Sequence, residues 1–429
     1  MENEFEQSTG KYRINEVRFC RELLEEEPMS WENGAFFTRQ GRVKDEQKIR
    51  QLIYDKLTKK VSTGVNRKVD SILAVLRLEA ARNKLPVEET VIHLANGLWS
   101  MEEGFSEEMR LCRYRLPVKF NPNVPNPHLW LEFLDSLLEP EDILTLQEFM
   151  GYCLVPTNIG QRMLILTGRG GEGKSRIGVV MRALLGDNMN MGSLFKLESN
   201  QFARADLEHK LLLVDDDLNL NNLPSTHHLK TITTAETPMD LERKGIQSYQ
   251  GSLHCRLMAF GNGSLHSSSD ASFGFYRRQI ILRTKPKDPN RVDDSYLGKR
   301  LVREAEQILL WCLSGLLRLF ENDFQFTQSA AVREDMLQLV GEENHLYGFL
   351  NSKGYFCFSG DHSTSSRKLY EVYKVWCRDN SLEPMTSKKF LELLRLEAPN
   401  YKLKYDYNVL IEEGRRARGY RGIQVLIWT

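Results

Sequence analysis

The spacing of apolar residues changes several times along the chain, and each change marks an element or a boundary. Up to about residue 90, apolar positions recur at helical intervals inside charged stretches such as 46–57 and 69–82, broken by the turn-like Trp31-Glu32-Asn33-Gly34. That pattern predicts a small, mainly helical domain with a hairpin at its start. Val91 to Trp99 reads as a strand entering an Asn96-Gly97 turn. The proline-bearing stretch 121–127 suits neither helix nor strand and marks a linker. Helical spacing returns at 130–138 and 141–154, and from 161 to about 289 short apolar strands alternate with helices. Such alternation predicts an α/β core around a largely parallel sheet. A long helical region over 297–321 follows, and from about 342 two helices precede a strand-rich tail, the order expected of a winged helix. The expected domains are 1–120, 121–335 and 342–429.

The 429 residues carry enough apolar content for each domain to bury a core. Lys plus Arg and Asp plus Glu number 58 each, so no global field draws the molecule to nucleic acid or membrane. Any DNA contact must come from local patches. The acidic start Met1-Glu2-Asn3-Glu4-Phe5-Glu6 is unlike a signal or transit peptide, and no apolar stretch approaches bilayer-spanning length. A cytoplasmic protein without membrane contact is expected. The seven cysteines are scattered singly, without the paired spacing of a zinc site, and read as small core residues in a reducing compartment.

Candidate chemistry concentrates after the linker. Gly168-Arg169-Gly170-Gly171-Glu172-Gly173-Lys174-Ser175 lies between the apolar run Met163-Leu164-Ile165-Leu166 and a helical pattern over 176–185. Strand, glycine-rich turn and helix in that order form the context of a phosphate-binding loop. Gly168, Gly170, Gly171 and Gly173 let backbone N–H groups curl around phosphates, Lys174 reaches the terminal ones, and Ser175 offers a hydroxyl to magnesium. ATP and Mg2+ are the expected ligands. A second apolar run, 211–214, releases Asp215-Asp216-Asp217 at its carboxyl end, where open α/β sheets place their ligands. Asp215 and Asp216 are candidates for the metal, Asp216 and Asp217 for the attacking water. Side chains alternate along a strand, so the triplet leaves its register open, with Asp216 favoured as the catalytic carboxylate. The run 256–260 ends in Gly261-Asn262-Gly263, where the Asn262 amide can sense the terminal phosphate. Arg277 and Arg278 precede the run 279–282, a position from which a guanidinium can reach the phosphates of an adjacent subunit.

In this order the tracts resemble the phage and plasmid primase-helicases related to poxvirus primase-helicase, whose ATPase belongs to helicase superfamily 3. The resemblance runs from about residue 92 to 422. It rests on His93-Leu94-Ala95-Asn96-Gly97, Leu146-Gln147-Glu148-Phe149-Met150-Gly151-Tyr152, the phosphate loop and the Asp triplet. Leu229-Lys230-Thr231-Ile232-Thr233, Asn262, Phe275-Tyr276-Arg277-Arg278 and Trp311-Cys312-Leu313-Ser314-Gly315-Leu316 continue it.

The resemblance implies an AAA+-like P-loop ATPase core and a ring of six identical subunits with ATP between them. It also implies 3′-to-5′ travel on single-stranded DNA that opens forked duplex, in a replicative helicase of a phage, prophage or plasmid-like element in bacterial cytoplasm. Lys174 and Ser175 would contact phosphate and magnesium, Asp216 and Asp217 metal and water, Asn262 the terminal phosphate. Arg278, with Arg277 as its substitute, would be the finger offered to the next subunit. Lys230 falls in the family's extra motif, which ends in a pore hairpin; here 240–247 is the candidate, with Arg243 or Lys244 on DNA phosphates. Two departures stand out. Relatives often carry a glutamate where this chain has only aspartates, and many carry an N-terminal polymerase domain whose metal-binding pattern does not occur before His93. Priming by this chain is therefore not expected, and a separate primase or replication protein is the partner that could supply it.

In the last domain, Leu369, Val372, Tyr373 and Trp376 share one helical face. Thr386 can cap a second helix with Phe390, Leu393 and Leu394 inward and Lys388 and Lys389 outward. Arg415, Arg416 and Arg418 lie in a glycine-flanked basic tract suited to phosphates, and helix-turn-helix geometry would bring the second helix to a major groove. The rival reading is an initiator that binds origin DNA and uses ATP as an assembly switch; a protein remodeller is a third.

Overall fold

The computed structural model describes residues 5–8, 11–59, 61–85, 87–218, 223, 225–262, 273–334, 345–410 and 416–427. Two compact units emerge, Met1–Leu265 with Leu282–Gln328, and His266–Ile281 with Ser329–Thr429.

The predicted alternation of strand and helix builds a mixed α/β fold around a sheet whose first four strands lie in the first unit. Its order is Met189–Met191, Leu212–Asp215, Arg256–Gly261, Met163–Thr167 and then Gln279–Arg283, which the division into units cuts after Ile281. The first four strands pair in parallel. Met163–Thr167 and Arg256–Gly261 are buried at every position, which is why they read as continuous apolar runs and not as alternations. The charged exception to their apolar character is Arg256, 2% exposed, whose guanidinium donates to the carbonyls of Cys153, Thr157 and His254 at 3.0, 3.1 and 2.7 Å. Cys153 closes the helix Pro140–Tyr152, so this charge rests on the negative end of a helix dipole. Carbonyl oxygens replace the water it lost.

That helix packs against Ala305–Glu321, and glycines set the approach. A Cβ on Gly151 would fall on the Cys312 carbonyl oxygen, and one on Gly315 would lie 2.5 Å from the Gln147 carbonyl oxygen. Glu148, 1% exposed, locks the crossing by accepting from Arg318 Nε at 2.6 Å and from the Thr327 N–H and hydroxyl at 2.7 Å each.

Ahead of the sheet, helices Glu16–Glu26, Gln47–Thr58 and Val65–Ala80 share a core of Phe19, Leu23, Ile53, Leu57, Ile72 and Leu76. The hairpin Ser30–Glu32 and Ala35–Thr38 turns at Asn33 and Gly34, both at positive φ, the geometry a two-residue Asn-Gly turn demands. A second hairpin departs from its reading by one residue. Leu94 pairs with Gly97, so the turn is Ala95-Asn96 and Gly97 already belongs to the returning strand. The Asn96 amide is not a turn former alone, since it exchanges two 2.9 Å hydrogen bonds with the Phe120 backbone.

In the second unit, Leu369, Val372, Tyr373 and Trp376 are buried as their spacing predicts, around Phe349, Phe390 and Tyr420. Thr386 caps Ser387–Glu397 by accepting the Lys389 N–H. Strands Phe356–Ser365, Arg416–Val425 and Lys404–Leu410 form an antiparallel sheet with Arg416–Val425 in the middle. The strand Phe356–Ser365 has no counterpart in the sequence reading, because a register shift between Ser359 and Ser363 breaks its alternation. Six cysteines are buried and Cys357 is half-buried, all as free thiols. Among the described residues, no helix is long and apolar enough to cross a membrane.

Candidate nucleotide-binding site

The loop strand Met163–Thr167 delivers the glycine-rich turn to the start of the helix Ser175–Leu185. Gly170, Gly171 and Gly173 adopt φ of 106°, 81° and 110°, so the turn needs residues without a Cβ at these three positions. The Gly168 N–H donates to the Gly261 carbonyl at 3.1 Å, tying the turn to the strand that carries Asn262. Because Arg256–Gly261 lies between the loop strand and the acidic strand, Asn262 emerges between the two.

A cleft of about 740 Å³ opens there, lined by Gly171, Gly173, Lys174, Ser175, Asp216, Asp217 and Asn262. The acidic triplet, whose register the sequence leaves open, divides clearly. Strand pairing stops at Asp215, which is buried; its Oδ2 accepts the Leu194 N–H at 2.7 Å, and it does not line the cleft. Its carboxylate anchors the start of the short helix Leu194–Ser199. Beyond the last ladder bond, alternation no longer applies, and Asp216 and Asp217 both reach the cleft. Ser175 offers Asp216 a hydrogen bond; burial, and then the neighbouring Asp217 charge, nevertheless raise the Asp216 pKa above the ordinary carboxylate range.

The side chain least expected from the sequence is Glu172. It is 4% exposed and turned into the loop, where its carboxylate accepts the Gly170 N–H at 2.8 and 3.0 Å and the Lys174 ammonium at 2.8 Å. Burial alone would push its pKa up, but the Lys174 hydrogen bond and the loop N–H groups hold it below the ordinary value. A carboxylate therefore occupies the donors that a phosphate would use. Arg291 braces the same turn from outside, donating to the Gly171 and Glu172 carbonyls at 2.8 Å each. Neither residue has a local sequence signal. Glu172 stands at an unconstrained position of the loop pattern, and Arg291 lies some 120 residues downstream in a turn without periodicity.

The other predicted residues are distributed as follows. Lys230 is half-buried on the helix His227–Thr234. Lys244 is exposed at the tip of the hairpin Met239–Arg243 and Ile246–Gly251, whereas Arg243 is bound to buried Glu208, which also receives the Tyr249 hydroxyl and, at 3.0 Å, the Asn33 amide. In the second unit, Arg277 is exposed after the turn Phe273–Tyr276, and Arg278 donates to the carbonyls of Gly274 and Phe275. Lys388, Lys389, Arg416 and Arg418 are exposed there, while Arg415 and Gly263 lie outside the described residues.

A parallel sheet with a glycine-rich loop at its strand ends is consistent with an α/β nucleotide-binding fold. The pattern of a family of unknown function, DUF5906, matches residues 166–278. No curated protein matches the chain in sequence. Among solved structures the chain is similar to the A form apo structure of the NrS-1 C-terminal region, at 11% identity over 96% of this chain and 100% of that one, with a TM-score of 0.50. A second apo structure of the NrS-1 C-terminal region is 12% identical over the same shares, also with a TM-score of 0.50. A structure of JCV helicase is 18% identical over 52% of this chain and 61% of that one, with a TM-score of 0.29. At these identities the NrS-1 likeness is one of fold.

Proposed function

We propose that this chain is an ATP-driven replicative DNA helicase that works as a ring of identical subunits, six by its resemblance to the superfamily 3 enzymes. The observation that carries the reading is the convergence of Lys174, Ser175, Asp216, Asp217 and Asn262, from three separate strands, on one cleft. The insertion of the amide strand between loop and acidic strands supports an AAA+-like core, and the helix, strand, helix, helix, strand, strand order after residue 345 supports a winged helix.

ATP with Mg2+ would supply the phosphoryl group and the charge that neutralises it. A hydroxyl and two carboxylates suit magnesium, which takes few protein oxygens and keeps phosphate and water ligands. Ser175 and Asp216 would hold that ion, Asp217 would orient the attacking water, and Asn262 would register the terminal phosphate. Lys174 and the loop N–H groups would bind the phosphates once Glu172 yields them. Arg278 or Arg277 of a neighbouring subunit would complete the site.

Asp216→Asn is expected to lower ATP turnover by at least about 100-fold, since it removes a charge at the metal position. Asp215→Ala should instead leave the Leu194 N–H unsatisfied and cost about 1–3 kcal/mol of stability, visible as a lower melting temperature. Equal losses of turnover in Asp215→Asn and Asp216→Asn would refute this division of labour.

On the hairpin, Lys244→Ala should weaken single-stranded DNA binding and reduce its salt dependence by about one unit. Arg243→Ala should act mainly through stability, because it strips a partner from buried Glu208. The motor reading is tested by strand separation on a forked duplex, with Lys174→Ala and Lys244→Ala beside the parent. ATP hydrolysis indifferent to single-stranded DNA, with no duplex opened, would overturn it.

A further inference from the structure

At the opposite end of the sheet from the nucleotide cleft lies a second cavity of about 440 Å³, bordered by residues that precede the strands Met189–Met191 and Leu212–Asp215. Arg42, Lys44, Arg115 and Lys210 line it, against the single carboxylate of Asp187. Four cations and one anion leave three net positive charges in one hollow of a chain whose total is zero. The imbalance is not absorbed locally. Lys44 pairs with Asp187, Lys210 donates to the Asp187 backbone carbonyl at 2.6 Å, and Arg115 donates to the carbonyls of Leu94, Gly97 and Arg110. Arg42, exposed on its short strand, makes no ion pair among the described residues, though the charge of buried Glu208 acts on it.

The crowding shifts the titration of two of these groups. Burial, and then the charges of Lys44 and Arg42, lower the Lys210 pKa. His209, which also lines the hollow, is pushed down to about 3 by burial and by the guanidinium and ammonium groups around it. It is therefore neutral at physiological pH and buried to 7% side-chain exposure; its Nε2 makes no hydrogen bond, with the Glu208 carboxylate 3.7 Å away. Crowded cations beside an unsatisfied imidazole constitute a site that an anion would complete.

We propose that this hollow binds the phosphodiester backbone of a nucleic acid, independently of sequence. The choice of a backbone over a free phosphate rests on continuity and on the motor reading above. Arg42 and His209 both feel the charge of Arg243, which Glu208 pairs at the root of the hairpin whose exposed tip is Lys244, so the hollow neighbours the root of that hairpin. Arg42 and Lys210 would be direct phosphate contacts, Arg115 a fixed background charge, and Asp187 a brake on affinity.

The test is a titration of a fluorescein-labelled, mixed-sequence single-stranded oligonucleotide at several salt concentrations, read by anisotropy. Arg42→Gln should weaken binding about fivefold or more and lower the slope of log affinity against log salt by about one unit, and Arg42→Glu by more. Asp187→Asn should tighten binding. Melting temperatures equal to that of the parent exclude misfolding as the cause. A parallel titration with inorganic pyrophosphate separates the sources: variants that lose pyrophosphate binding but bind the strand as the parent does would overturn the nucleic-acid assignment. If the parent binds and opens DNA while all three variants match it, this inference alone falls. If the parent binds no DNA, the motor reading falls with it.

Discussion

Replacing Lys174 with alanine should abolish ATP turnover, by at least about 1,000-fold, and should also lower the melting temperature of the unliganded protein. The first effect follows, on the proposed function, from losing the cation that would face the terminal phosphates. The second is particular to this chain. Lys174 and Glu172 form a pair in which the side chains are 9% and 4% exposed, at 2.8 Å. Deleting the ammonium leaves a buried carboxylate with only loop N–H groups for company, a loss of about 3–5 kcal/mol for an uncompensated buried charge. Because the folded Glu172 pKa lies below its ordinary value, the stabilisation is intact at neutral pH and fades only as pH falls through that lowered value. The double variant Lys174→Ala with Glu172→Gln should recover the melting temperature and remain inactive. Glu172→Gln alone should bind nucleotide about tenfold more tightly, because the amide yields the loop donors more readily than a carboxylate does. A calorimetric titration giving the parent's affinity for Glu172→Gln would place the carboxylate outside the loop in solution.

Substituting Gly151 or Gly315 with valine should destabilise the first unit by more than the roughly 1–3 kcal/mol typical of overpacking, since the atoms in the way are backbone and cannot rotate aside. Glu148→Ala should cost about 3 kcal/mol, the low end for breaking a buried pair, because Arg318 keeps 34% of its side chain in water. Chemical denaturation reads both. Glycine-to-valine variants melting with the parent would mean that the two helices stand farther apart. These positions occupy two tracts, 146–152 and 311–316, that carry the family resemblance without any obvious chemistry. The structure makes them the two sides of one crossing.

What was legible in the sequence is what is local. A run of apolar residues, a glycine-rich turn and a helical period are contiguous, so the loop and its strand were readable, as was the carboxylate-bearing end of the acidic strand. The register within the Asp triplet was not, because it depends on where ladder pairing with Arg256–Gly261 ceases, some forty residues downstream. The resemblance implies Arg243 or Lys244 on DNA phosphates; that buried Glu208 binds Arg243 has no local signal on the hairpin. Glu172 was invisible as an actor because the loop pattern constrains glycines, lysine and serine and says nothing of the residue between. Arg291 and Arg42 carry their meaning only through partners or neighbours far away in the chain.

A glycine-rich loop that supplies its own anion would also, on the proposed function, be a filter for valence. Sulfate, bicarbonate or a lone phosphate arriving from the surrounding electrolyte finds the cradle already neutralised and gains little by exchanging one counter-charge for another. On the proposed function, a polyanion that also engages the metal position and the neighbouring rim would displace the resident carboxylate, so Glu172 would keep the empty site from filling with the abundant small anions around it.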